Sequence, residues 1–220
     1  MNAIASAIEA AKAAAANLPA EVAQQSNTAV VQAPARGAAL TLDNMMIGSM
    51  SVDGWLKVNQ YGLFVGNDNT PFAALELGLD MSEIGYNYAI KFGNPAQYLK
   101  TYDQVSCISG GTWAQAMARA QQIDPKAREY RSGDLPFIVL NDIKKPDGSV
   151  IMAAGKRLGH GLSTTGWTAF ADLVKKLRAD GVDPNSAKIL VTLGSTPMKN
   201  AKGTWGVLNF IKYEVDNPDA

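Results

Sequence analysis

The last long stretch of the chain decides how the rest is read: Lys188-Ile189-Leu190-Val191-Thr192-Leu193, then Lys199-Asn200-Ala201-Lys202-Gly203, then Thr204-Trp205-Gly206-Val207-Leu208-Asn209-Phe210-Ile211-Lys212-Tyr213-Glu214-Val215. The first part alternates, the middle is built of turn residues, and the last is rich in β-branched and aromatic side chains. The pattern predicts a β-hairpin with a basic tip. Side chains of a strand point alternately to its two faces. Trp205, Val207, Ile211 and Tyr213 therefore share one face, and Leu208, Phe210 and Lys212 the other. Apolar groups on both faces fit a strand buried on two sides, and an exposed aromatic face would read the same way.

Working toward the N-terminus, further strands emerge. Trp55 to Tyr61 alternates, with Trp55, Lys57 and Tyr61 opposite Leu56 and Val58. Phe72 to Leu79 and Tyr86 to Phe92 are apolar runs, the second ended by Gly93-Asn94-Pro95. Gln97 to Tyr102 sets Tyr98, Lys100 and Tyr102 on one face. Phe137 to Leu140, a Pro146-Asp147-Gly148 turn and Val150 to Met152 read as a second hairpin. Two helices interrupt the strands. Thr112 is placed to cap one that carries Trp113, Ala116, Met117 and Ala120 on a stripe and stops at Asp124-Pro125. The other carries Trp167, Phe170, Val174 and Leu177, with Gly181 as its stop. Six to eight strands without regular βαβ alternation predict a mainly β fold with inserted helices, an elaborated antiparallel barrel or sandwich.

Composition narrows the function. The 220 residues are 47% hydrophobic, with 20 basic and 20 acidic side chains, enough chain for a real core. One cysteine, Cys107, and one histidine, His160, leave little from which to build a zinc or iron-sulfur site. Gly-x-Ser-x-Gly, Walker A and dinucleotide fingerprints are missing, so no cofactor and no catalytic group is assigned. No apolar run reaches the roughly 20 residues of a membrane span. The expectation is a soluble, non-enzymatic, cytoplasmic protein without a membrane partner. Neutral net charge hides a split: residues 41–110 hold three bases and seven acids, whereas residues 111–180 hold eleven bases and seven acids.

The domain boundaries follow from complexity. Residues 1–36 are alanine-rich and then polar, without aromatic groups to bury, and read as a flexible tail with at most a transient helix. Residues 37–215 form the β domain, and 216–220 a short acidic tail.

The strongest functional signal is aromatic rings and lysines repeated on one face of a strand: Trp55, Lys57 and Tyr61, then Tyr98, Lys100 and Tyr102, with Tyr88 and Lys91 between them. An unpaired nucleic acid needs flat π surfaces for its bases and cations for its phosphates. Side chains two apart on a strand lie about 7 Å from one another, comparable with the base separation of a stretched strand. The plainer account is that Tyr and Trp favour strands and the lysines solvate an outer face. The hairpin tip adds Lys199, Lys202, Trp205 and, further along, Lys212. Ser109-Gly110-Gly111-Thr112, at a helix entry, is a weak anion-binding signal, and Gly155 to Gly161 reads as a flexible basic loop.

This arrangement of aromatic and lysine-bearing strands, a helix between strand groups, a closing hairpin from Lys199 to Val215 and an acidic end resembles the OB-fold single-stranded-DNA-binding proteins, especially those of bacteriophages. The resemblance covers about residues 40–215. It implies an OB-like barrel and a groove that binds single strands with little sequence preference in replication, recombination or repair. It also implies a place in the host-cell cytoplasm, and an acidic tail that recruits replication or recombination proteins. The C-terminal Asp216-Asn217-Pro218-Asp219-Ala220 departs from the family in lacking a terminal Phe. A homo-oligomer is compatible with this reading. The alternative from a different class is a structural or virion assembly β protein that binds no nucleic acid.

Overall fold

The computed structural model describes residues 3–16, 52–201 and 203–215. In chain order these form α1 (Ala3–Ala16), β1 (Gly54–Asn59), β2 (Gly62–Val65), β3 (Ala74–Asp80), β4 (Gly85–Phe92), β5 (Gln97–Thr101), α2 (Trp113–Ile123) and β6 (Glu129–Ile138). There follow β7 (Ile143–Lys144), β8 (Val150–Met152), β9 (Arg157–Gly161), α3 (Thr164–Ala179), β10 (Lys188–Asn200) and β11 (Gly203–Val215). The fold is mainly β with inserted helices, as the sequence pattern implied.

Nine strands make one sheet in the order β11-β10-β3-β6-β9-β1-β2, with β4 joined to β6 and β5 to β4. Its middle is β6. Residues Glu129–Asp134 pair with β4, Phe137 and Ile138 with β3, and Asp134–Ile138 with β9. The sheet curls until the β1–β2 hairpin reaches the β10–β11 hairpin at Ser195 and Gly206. There the Asn59 carbonyl accepts a hydrogen bond from Ser195 Oγ at 2.6 Å. It also lies where a Cβ on Gly206 would come within 2.1 Å, so only glycine fits that crossing.

The antiparallel OB-like barrel is corrected on two counts. The β9–β1 pair is parallel, and among the described residues the ladders run as an open path from β2 to β11. A single bridge, Leu63 to Phe72, joins β2 to the residues before β3.

Hydrophobic periodicity explains where the helices lie. The Thr112 hydroxyl accepts from Gln115 N–H and the Gln115 side chain reaches back, a capping box that starts α2. Trp113, Ala116 and Ala120 then bury against Ile90 and Phe92 in a small core under β4. α3, capped by Ser163, drives Phe170, Leu173 and Leu177 into the larger core with Leu77, Phe137 and Val191. Its chain reverses at Gly181, whose φ of 76° disfavours any other residue.

Three further expectations change. Residues 3–16 of the expected tail form α1, which packs on the sheet: Ile8 is fully buried over Gly78, and Lys12 Nζ reaches Asp80 at 3.2 Å and Glu83 at 2.7 Å. Phe137 to Leu140 does not form a hairpin with Val150 to Met152. The partner of β8 is β7, and Phe137 and Ile138 end the long β6. The expected loop at residues 155–161 holds β9, a central strand. Residues 17–36 and the acidic 216–220 lie outside the described residues.

Candidate nucleic-acid interface

Residues paired across a ladder face the same way, and so do residues two apart along a strand. Lys91 pairs with Tyr98, and Ala89 with both Lys100 and Tyr130. Along β6 the same face continues to Asp134, which pairs with Gly161, and Gly159 in turn pairs with Trp55. Trp55, Lys57, Lys91, Tyr98, Lys100 and Tyr130 thus occupy one face of the sheet, across five strands. Tyr102 continues the alternation of β5 just past its end. The distance from β5 to β1 is four strand spacings, roughly 19 Å. α2 and α3 lie on the other face.

Within this face Lys91 Nζ stands 5.8 Å from the centre of the Tyr98 ring, a cation–π contact, and the ring is 54% exposed. Tyr130 was not foreseen. Burial, with the neighbouring Tyr98 and Asp134, pushes its phenol up to about 12, and burial with Asp134 drives that of Tyr102 higher still. Lys100 is engaged: its Nζ meets the buried Asp134 carboxylate at 2.7 Å, and Asn87 Nδ2 donates to the other oxygen at 2.9 Å. This side chain is engaged with the sheet rather than free in solvent. Next to it, Gly161 of β9 is exposed. A Cβ on Gly161 would meet Asp134 Oδ1 at 3.5 Å and Lys100 Nζ at 3.8 Å, ordinary contacts, so packing does not demand glycine there.

Beyond β9, Trp55 and Lys57 line an open cleft of about 710 Å³ closed on its far side by the β7–β8 hairpin, with Lys145, Val150 and Met152 on its wall. Lys145 is tied to Asp68 at 2.6 Å, which holds the Asp68 carboxyl down at about 2 and raises the Lys145 ammonium. Lys156 is tied to Asp53 at 2.9 Å. Lys57 makes no ion pair among the described residues and is exposed.

The remaining candidates are not brought together with these. β1 ends at Asn59, so Tyr61 sits on the turn into β2, 75% exposed, with its N–H donating to Asn59 Oδ1. Tyr88 faces α2 and packs on the small core. Lys199 pairs with Thr204 and Met198 with Trp205, so Lys199 and Trp205 point to opposite faces of the hairpin and cannot close together over one strand. Lys212 is held by Glu214. Lys202 lies outside the described residues. The face assignment along β11 also changes. A bulge opposite Thr192 and Leu193 shifts the alternation, turning Phe210 and Tyr213 to the same core and Lys212 outward.

His160 is held in place by β1. Removal from water lowers its imidazole's affinity for a proton, and Nδ1 donates to the Leu56 carbonyl at 2.9 Å. Among the described residues no His, Cys, Asp and Glu cluster could hold a metal ion, and no helix is long and apolar enough to cross a membrane.

Comparison with protein-family models, curated proteins and solved structures finds no match to this chain.

Proposed function

We propose that this protein binds single-stranded DNA with little sequence preference, as a non-enzymatic partner in replication, recombination or repair. The observation that carries the reading is the shared face: Trp55, Lys57, Lys91, Tyr98, Tyr102 and Tyr130 look out from one side of the curled sheet, with glycine backbone between the two aromatic groups. Rings stack on bases irrespective of sequence, and Lys57 and Lys91 meet phosphates. A glycine that packing does not require, set in a strand, leaves room for another backbone to come close.

Titrating oligo-dT against the intrinsic tryptophan emission tests the proposal. Quenching through Trp55, with affinity that falls as salt rises through counterion release, is the expected result. Failure of both oligo-dT and mixed-sequence strands to bind below the micromolar range at low salt overturns it.

A further inference from the structure

The sheet order ends at β11, a strand of 13 residues, about 44 Å of edge whose ladder partner is β10 alone. Long free edges are normally blunted by charge, proline or brevity, because their unpaired N–H and C=O groups template another strand. On this edge the charged residues are Lys212 and Glu214, close together near its C-terminal end. Its single irregularity is the bulge at Ile211, whose side chain is 57% exposed. A cleft of about 420 Å³ runs beside Asn209–Tyr213, with Ala169, Leu173 and Lys176 of α3 as its far wall, so the edge is open to an incoming strand.

The charges next to the bulge indicate which strand fits. Lys212 and Glu214 flank Tyr213 on one face, 66% and 49% exposed. We infer that β11 pairs antiparallel with β11 of a second copy, about a two-fold axis through Tyr213. In that register the segment paired among the described residues is Ile211–Val215: Lys212 of each copy stands across from Glu214 of the other, twice, and Ile211 stands across from Val215. Opposite charges directly across a ladder stabilise it and like charges oppose it. Moving the axis one residue either way sets Lys212 against Lys212 or Glu214 against Glu214, and a parallel in-register pair does both. The ion pair that each chain makes within itself becomes part of a four-charge cluster. A self-complementary patch of this kind closes as an isologous dimer and stops there. This inference stands apart from the DNA reading and is tested without DNA.

Sedimentation velocity of the full chain across micromolar concentrations is the measurement. The wild-type chain is expected to dimerise. Lys212→Glu and Glu214→Lys each weaken the dimer about tenfold, because two cross-strand pairs turn from attraction to repulsion, while the double exchange K212E/E214K restores it. Thermal melting confirms that these exposed substitutions leave the fold intact. A wild-type monomer at hundreds of micromolar, an open-ended assembly, a dimer indifferent to the single reversals, or a double exchange that fails to rescue would each overturn the inference.

Discussion

Two regions of the same sheet face are treated in opposite ways. Over β3 and the end of β6 the face is made of Gly78 and Ile138, with Asp80 and Glu83 at its margin, and α1 covers it. Ile8 fills the space a side chain at Gly78 would take: a Cβ there would lie 2.9 Å from Ile8 Cγ1. Lys12 and the Lys188–Glu9 pair, at 2.6 Å, tie the helix down. Over β4, β5 and the start of β6 the face carries Lys91, Tyr98 and Tyr130, and no described element covers it. Small and acidic residues mark the part the protein keeps for its own helix. Rings and cations mark the part it leaves to solvent, where the proposed ligand binds.

The largest test asks whether Lys100 belongs to the open region or to the scaffold. Lys100→Met leaves the Asp134 carboxylate buried without its cation and is expected to destabilise the fold by about 3–5 kcal/mol, read by chemical denaturation. A loss of DNA affinity with unchanged stability would return Lys100 to the interface. Next, Ile8→Ala empties the contact over Gly78 and should cost about 2–4 kcal/mol of stability while oligo-dT affinity holds. Coupled loss of both would erase the distinction between the regions.

Smaller effects belong to the open face. Tyr98→Ala should weaken oligo-dT binding by about 1–3 kcal/mol if the ring stacks on a base, without moving the melting temperature, because the side chain is exposed. Lys57→Gln should lower the slope of log affinity against log salt by about 0.7.

The covered region also has its own pH signature. Burial tends to raise the Asp80 carboxyl, but hydrogen bonds from Ser82 and Lys12 together with the Lys12 charge outweigh it, and the net displacement is downward from 3.8. A carboxyl depressed in the folded state contributes stability above its unfolded value, and that contribution drains as pH falls through the folded one. Protection of the α1 amides against exchange, taken relative to the intrinsic rate at each pH, should therefore fall below about pH 4, ahead of protection in β6.

How legible the molecule was depends on which residues are considered. Helices α2 and α3 were readable, because Thr112 and the Trp167 to Leu177 stripe carry signals local to a few turns. So was the β10–β11 hairpin, though not its bulge, which no local pattern announces. Of the two central strands, β9 was not, and β6 was legible only at its end, where Phe137 and Ile138 open the expected Phe137 to Leu140 strand. β6 contains Gly133, Asp134 and Pro136, and β9 reads Arg-Leu-Gly-His-Gly, all residues that argue against a strand when taken alone. Each is made tolerable by something distant in the chain: Asp134 by Lys100 and Asn87, His160 by the Leu56 carbonyl. α1 was misread for the same reason, since an alanine-rich helix is marginal until Gly78 offers it a socket.

Within the candidate site, the alternation of rings and lysines along single strands was visible in the sequence. Tyr130 was hidden because its strand was, and turn, ladder register and ion pairing set Tyr61, Tyr88, Lys199 and Lys212 apart from the shared face. Strand and helix character come from side-chain period and capping, which act over a few residues, so the amino-acid order alone determined that this is a mainly β protein with two well-marked helices. Which strands become neighbours, which polar groups are neutralised and which face stays open depend on partners tens of residues away. Only the packed chain, satisfying every buried charge at once, decided those.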